Sequence, residues 1–530
     1  MFRRTVLFVF SVVLCYAQDS ARMDQVVQSY VTAKTFMGTV LVARGGEVLF
    51  SKGYGMANLE WDIPNSPSVK FRLGSVTKQF TAASILLLEE RGKLKVEDPV
   101  KKYMPDAPAA WDKITIFHLL THTSGIPNFT SFPEYSQTEP FATTPEKLVA
   151  RFRDKPLDFE PGGKMNYSNS GYVLLGFLVE KISGQSYEAF VKENIFLPLG
   201  MKDSGYDSNS EIIHHRAAGY APGKNGPVNA GFVHMSIPFS AGSLYSTTED
   251  LLRWEQGLFG GKALSAESLR KMTTPFKNDY AFGLFVHVAG GHKVIDHGGG
   301  IEGFNTHLAY YPEDKLTVAV LGNLNGAAPG DIAGKLGALA HGQQLVLTSE
   351  RKQITLPAAK LAGYVGTYEL APKTNIMIRL EADQLTAQLS GQPKFPLFAQ
   401  SEALFFLKVV DAQLEFGKDE KGAYVVLHQN GRDQKAVKTS DTVEERTSIS
   451  VSPKILERYV GTYELRPGFD LVIALEGGQL MSQATGQPKF PIYAESETKF
   501  FPKAFDAEIE FTGDHVVLHQ GGHDITGKRK

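Results

Sequence analysis

A single cysteine, Cys15, occurs in 530 residues, and it lies inside the first apolar segment of the chain. With that segment set aside there is no disulfide, no thiol nucleophile and no cysteine metal ligand. Stability must then come from a packed core, which 42% hydrophobic content is enough to build. Charge of one sign is also missing. The 55 Lys and Arg nearly cancel 57 Asp and Glu, leaving a net charge of -2. No basic run offers a track for phosphates, so nucleic acid is excluded as an expected partner. A long apolar run is the third absence. The stretch from Val6 to Tyr16 follows Arg3 and Arg4 and precedes the small Ala17. It is shorter than the ~20 residues of a membrane span, and its flanks make residues 1–17 a secretory signal rather than a span or a buried first helix. The bulky Leu14 stands where a lipid-attachment site has a small residue, which disfavours an anchor on Cys15. The mature chain is expected to be secreted or periplasmic, without a transmembrane segment.

What is present is ordered along the chain. "GTVLVARGGEVLFSKGYG" (Gly38 to Gly55) places two β-rich runs around Gly45-Gly46, a hairpin signature. From Ser75 the period becomes helical, and it is helical again over Thr115–Leu120, Pro145–Phe152, Tyr172–Ser183 and Thr247–Leu258. Strand character returns in "YAFGLFVHV", "HKVIDHGGG" and "THLAYYPEDKLTVAVLGNLN", the last as two strands around a Pro-Glu-Asp-Lys turn. Strands at both ends of a helical middle predict one α/β domain with an antiparallel sheet closed by both termini, spanning 18–345.

Beyond about Gln344 the chain repeats itself. "YVGTYEL" at Tyr364–Leu370 returns at Tyr459–Leu465, and "GQPKFP" at Gly391–Pro396 returns at Gly486–Pro491. "VVLHQ" at Val425–Gln429 returns at Val516–Gln520, four residues out of step with the other pairs, so a small deletion lies between. Short alternating runs broken by Gly, Pro and charged turns, with no helix of useful length, predict a small β-barrel or sheet in each copy, 356–440 and 452–530. Polar stretches "LTSERKQIT" and "SDTVEERTSIS" precede the copies as linkers.

The chemistry begins with "LGSVTKQFTAASILLL", a nearly uncharged helix that carries Lys78 three residues after Ser75. That spacing puts both side chains on one face, with the helix start and its unpaired N–H groups beside Ser75. A serine hydroxyl needs a base, and a lysine can be one when burial depresses its pKa. Spacing alone proves little and favours an N-capping serine and a snorkelling lysine, since Ser268/Lys271, Ser349/Lys352 and Ser496/Lys499 share it. Two further motifs follow in order: Tyr167-Ser168-Asn169 ahead of a helix, and His297-Gly298-Gly299 at the end of a strand.

With these the sequence resembles the serine β-lactamase and penicillin-binding-protein superfamily, in its class C-like (peptidase S12-like) branch of D-aminopeptidases, DD-carboxypeptidases and esterases. "LLTHTSGIP", "LPLGMKDSGY" and "SAGSLYSTTEDLLRW" extend the resemblance over nearly all of the catalytic domain. It implies a β-lactamase-like fold, an antiparallel sheet flanked by helices plus an all-helical part, here followed by two lipocalin-like β repeats where relatives have one. It implies Ser75 as acylated nucleophile, Lys78 as its activating partner and Tyr167 as the proton carrier, with a neighbouring cation lowering the phenol pKa. Asn169 would hold Lys78 and bond the substrate amide. His297 stands where many relatives have lysine, and Gly299 would let the strand approach the substrate. The N–H groups of Ser75 and Gly300 would form the oxyanion hole. No cofactor or metal is implied. The expected substrate is a small peptide, ester or β-lactam, with cell-wall material as a candidate partner. Histidine at 297 is a weaker cation than lysine, which tilts the reading from a dedicated β-lactamase toward a D-peptidase or esterase. A penicillin-interactive protein with little turnover is the alternative.

Other residues carry ordinary expectations. His122 in "THTSG" reads as a structural hydrogen-bonding residue and His214-His215 as an exposed pair. Glu249-Asp250 read as first-turn helix acids, and the aromatic residues of "GTYEL" and "KFP" as repeat core.

Overall fold

The computed structural model describes residues 20–530 apart from 373, 430–431, 444–445, 467–468, 486, 504 and 521–522. The expected signal 1–17 and Cys15 lie outside the described residues. The chain divides into two compact units, Met1–Leu345 and Val346–Lys530.

In the first unit a hairpin forms from β1 (Gly38–Arg44) and β2 (Glu47–Tyr54), with Arg44 facing Glu47 across a two-residue turn. Gly45 (φ 55°) and Gly46 (φ 95°) supply the left-handed conformations that such a turn needs. Four later strands join it: β3 (Phe285–Ala289), β4 (His292–Ile301), β5 (Phe304–Tyr311) and β6 (Leu316–Gly322). All pairs are antiparallel and the order is β3-β4-β5-β6-β1-β2, so the N-terminal hairpin docks on the last strand. Every residue of β6 is buried because both sheet faces are covered, which explains its unbroken apolar sequence.

Among the helices are α1 (20–32), α2 (Thr77–Glu90), α3 (Ile116–Leu120), α4 (Pro145–Arg153), α5 (Asn169–Ser183), α6 (Thr248–Phe259) and α7 (Ala328–Ala340). α7 packs on β5 and β6, and α6 on β1 and β6. α3 is opened by the Thr115 side chain, α4 by Thr144 with Pro145 inside the first turn, and α6 by Thr247. α5 starts three residues before the sequence periodicity suggests, because Asn169-Ser170-Gly171 is drawn into the helix by hydrogen bonds from outside it. α2 is buried from Thr77 to Leu88 and packs against α5. A helix apolar all round belongs in a core, and burial of Phe80, Ile85, Leu86 and Leu88 contributes about 1.5–3 kcal/mol each. That offsets the cost of enclosing Lys78 among them.

The second unit holds two β bodies. In the first, nine strands run in one antiparallel sheet whose first and last long strands, Gly366–Ala371 and Arg432–Ser440, pair with each other. In the second, eight strands close into a barrel, with Gly461–Arg466 pairing His523–Arg529. Tyr368 and Tyr463 lie in the two cores and donate alike, to the Tyr364 carbonyl at 2.8 Å and the Tyr459 carbonyl at 3.0 Å. Phe395 and Phe490 are only half-buried, so the "KFP" aromatics sit at the rims of the cores. Each copy opens on a short helix that the sequence pattern does not predict, Ala358–Ala362 and Pro453–Tyr459. Five to seven residues are too few to show a helical period, and these turns form by burying Leu361, Leu456 and Tyr459.

Candidate active site

Ser75 lies in a tight turn, Gly74–Val76, between the short strand Phe71–Arg72 and α2. Gly74 has φ 54°, and a Cβ there would stand 2.8 Å from the Gly300 nitrogen, so the serine turn and the end of β4 touch backbone to backbone. Thr306 of β5 donates to the Leu73 carbonyl at 2.7 Å and the Leu73 N–H donates to Leu244 at 2.8 Å, which pins the turn from two sides.

Lys78 is wholly buried on the first turn of α2. Its Nζ is 3.0 Å from Ser75 Oγ, 2.9 Å from Asn169 Oδ1 and 2.9 Å from the Ala241 carbonyl oxygen. The Tyr167 and Tyr172 rings flank it, with centroids at 4.8 and 5.5 Å. Burial pushes its pKa far below the usual lysine range. A neutral amine fits this cage. Two N–H groups serve the Asn169 and Ala241 oxygens, which can only accept, and the lone pair is left for the Ser75 hydroxyl. Asn169 is itself held: its Nδ2 donates to Thr130 Oγ1 at 3.1 Å, and its backbone N–H to Asn128 Oδ1 at 3.0 Å.

Tyr167 departs from expectation. Burial moves its phenol pKa up, not down; a hydrogen bond with Ser75 opposes this only in part. The cation that would have lowered it is absent because the enclosed Lys78 favours its neutral form. Tyr167 is therefore a protonated phenol beside the serine. His297 departs too. It is buried, its Nε2 is 3.3 Å from the Tyr280 hydroxyl, and its Nδ1 faces the Gly298 carbonyl. Burial holds it down at about 4. It is neutral at neutral pH, with both ring nitrogens engaged inside the protein, so the weak cation expected there is no cation. For Gly299 the contact is with the protein: a Cβ would stand 1.9 Å from the Leu73 oxygen and 2.4 Å from Thr306 Oγ1.

Several contributors have no sequence signal. Ala241 acts through its backbone, and Tyr280 heads "YAFGLFVHV" as one aromatic among many. His122 is structural: its Nδ1 accepts from the Ser168 N–H at 3.1 Å and its ring packs on Tyr167, Tyr172 and Tyr280, at 4.2, 5.0 and 4.6 Å. His214 and His215 are exposed, and Glu249 and Asp250 open α6. Among the described residues one group stands at metal-ligand distance, Glu508, Glu510 and His519 on the second barrel. Lys499 at 2.9 Å and Arg446 at 3.6 Å from Glu508 already counter its charge.

Residues 23–342 match the Beta-lactamase family, and 350–438 and 445–517 match a domain of unknown function, DUF3471. The chain belongs to the beta-lactamase family. Within it, the chain is 31% identical over 434 residues to "Penicillin-binding protein 4*" of Bacillus subtilis, covering 76% of this chain and 95% of that one. Among solved structures, a penicillin binding protein from Bacillus halodurans is 28% identical with TM-score 0.52, covering 59% of this chain and 98% of its own. A D-stereospecific amidohydrolase from Streptomyces sp. is 26% identical with TM-score 0.53, covering 61% and 99%. The chain thus belongs with the β-lactamase and penicillin-binding-protein family, whose members are serine hydrolases. No helix among the described residues is long and apolar enough to cross a membrane.

Proposed function

We propose that the protein is a secreted hydrolase of amide or ester bonds that works through an acyl-enzyme on Ser75, with D-amino-acid amides, small D-peptides and esters as its substrates. The observation that carries this is the Lys78 cage, in which two fixed acceptors leave the amine lone pair for the Ser75 hydroxyl at 3.0 Å. Ser75 Oγ attacks the carbonyl carbon as Lys78 takes its proton, and the oxyanion is met by the N–H groups of Ser75 and Gly300. The C–N or C–O bond then breaks, and Tyr167 passes its proton to the leaving group and regains one from the Lys78 side. Water attacks the acyl carbon, the acid leaves, and Ser75 is protonated again. Asn169 positions Lys78 and turns its amide toward the substrate.

His297 argues on substrate. A DD-carboxypeptidase or β-lactamase must bind a carboxylate, and a neutral imidazole with both nitrogens engaged gives none of that attraction. Substrates ending in a neutral amide or ester suit the site better, in keeping with the likeness to a D-stereospecific amidohydrolase. Residues 18–345 carry the reaction in this reading, and 1–17 direct export.

The test is labelling of the purified chain by a fluorophosphonate and a fluorescent penicillin, beside turnover of a nitrophenyl ester, a D-amino-acid amide and a D-alanyl-D-alanine peptide. Ser75→Ala should abolish labelling and all turnover, and the ester and amide should outpace the carboxylate-ended peptide. Equal labelling of wild type and Ser75→Ala would sink the acyl-enzyme, and a preference for the peptide would sink the substrate assignment.

A further inference from the structure

Beneath Ser75, Lys78 and Tyr167 lies a layer of aromatic rings drawn from distant parts of the chain: His122 after α3, Tyr172 on α5, Tyr280 ahead of β3 and His297 on β4. Tyr280 is its centre. Its ring is wholly buried and meets His122 at 4.6 Å, Phe285 at 4.8 Å, His297 at 5.9 Å and Tyr167 at 6.2 Å, the last three edge to face. Its backbone is fixed as well, donating to Lys277 at 3.0 Å and accepting from Phe276 at 2.9 Å. Its hydroxyl stands 3.3 Å from His297 Nε2.

The direction of that bond follows from the other ring nitrogen. His297 Nδ1 faces the Gly298 carbonyl, which can only accept, so Nδ1 bears the hydrogen. In a neutral ring Nε2 is then a bare lone pair that can only accept, and the Tyr280 hydroxyl, which also bonds Tyr172, is the donor placed to fill it. We propose that Tyr280 is a positioning residue for the reaction, holding His297 in the Nδ1–H form and thereby the Gly298–Gly300 strand edge against the Ser75 turn. This rests on the acyl-enzyme reading for its effect on rate, but not for its geometry.

Two consequences make the arrangement matter. The Nδ1–H bond fixes the Gly298 carbonyl and so the tilt of the peptides leading to Gly300, whose N–H is offered to the oxyanion. The Tyr280 hydroxyl also occupies the lone pair that a proton would take. The groups around His297 are Lys78 from α2, His122, Tyr167 and Tyr280, with Asp296 and His307 acting on it through the sheet. Of these only Asp296 favours a charged imidazole, and its own oxygen is engaged by His287 at 3.3 Å and His307 at 3.1 Å. A cation at 297 would stand next to the amine that must receive the serine proton.

The experiment uses the full chain with 15N-histidine, read by long-range 1H–15N correlation, in wild type and Tyr280→Phe. Wild-type His297 should show a single neutral Nδ1–H tautomer from about pH 5.5 upward, above its pKa of about 4. Tyr280→Phe, which removes one oxygen, should mix the tautomers, lower kcat about tenfold with KM within about twofold, and move the acid limb of kcat to higher pH, as expected for one lost hydrogen bond. A wild-type His297 that is cationic or Nε2–H near pH 7 overturns the proposal. So does a Tyr280→Phe enzyme with unchanged tautomer and pH profile, whatever its thermal stability. Because the spectrum is read without substrate, absence of Ser75 labelling in wild type would count against the acyl-enzyme alone, while the tautomer still decides the role of Tyr280.

Discussion

Gly299→Ala separates contact with the protein from contact with a substrate. The added methyl would stand 1.9 Å from the Leu73 oxygen, 2.4 Å from Thr306 Oγ1 and 3.1 Å from the Leu73 carbonyl carbon. Unstrained carbon contacts lie near ~3.5 Å, so β4 and the serine turn must part by roughly 1.5 Å. Two of the three obstacles are backbone atoms, which cannot rotate aside. Parting also breaks the 2.7 Å bond from Thr306 to Leu73. Overpacking of about 1–3 kcal/mol and a lost buried hydrogen bond of about 1 kcal/mol give an expected destabilisation of roughly 2–4 kcal/mol. For chemistry the displacement matters more, since a misplacement of about 1 Å costs on the order of 10²-fold, and here it opens the gap between Ser75 and Gly300. Thermal unfolding and the rate of fluorophosphonate labelling measure the two effects. Gly298→Ala is the control: its methyl would meet only His307 Nδ1 and the Thr306 oxygen, both at an ordinary 3.6 Å. A Gly299→Ala protein that labels within twofold of wild type would refute the reasoning, and so would a Gly298→Ala protein equally damaged.

Two buried ionisable side chains make stability depend on pH in opposite senses. Burial lowers the Lys78 pKa in the fold well below its unfolded value of 10.5, so the unfolded state holds more protons and stability rises with pH up to about pH 10.5. Lys78→Met removes that dependence; urea unfolding from pH 7 to 10 should show wild type gaining on the variant, and a constant difference would mean that Lys78 keeps its proton. Glu255 on α6 is buried, one carboxyl oxygen lacks a hydrogen-bond partner, and burial pushes it up to about 8. Here the fold holds the extra proton between about pH 4.5 and 8, so stability falls as pH rises through that window. Glu255→Met should raise stability at pH 8 by up to about 4 kcal/mol and far less at pH 5, as read from unfolding midpoints.

The hairpin at Gly45-Gly46, the helix after Ser75 and the two β repeats are legible in the chain because each depends on neighbours in sequence: turn chemistry, spacing along a helix, alternation along a strand. The short helices that open the repeats were not, since a turn or two leaves no period to read. At the site, Ser75, Lys78, Tyr167 and Asn169 could be picked out by residue type and order. Ala241 could not, because it acts through a carbonyl that every residue has. Tyr280 could not, because nothing marks a phenol as the partner of an imidazole in another segment.

By itself the sequence determined which side chains were available: an amine near a serine, a phenol, an amide and a glycine-rich strand. Tertiary structure alone decided their charges. Lys78 and His297 are neutral, and Tyr167 stays protonated, because segments around residues 75, 169, 241 and 297 close over them and remove water. Desolvation is summed over everything packed around a group, in three dimensions, and no local pattern along the chain records that sum.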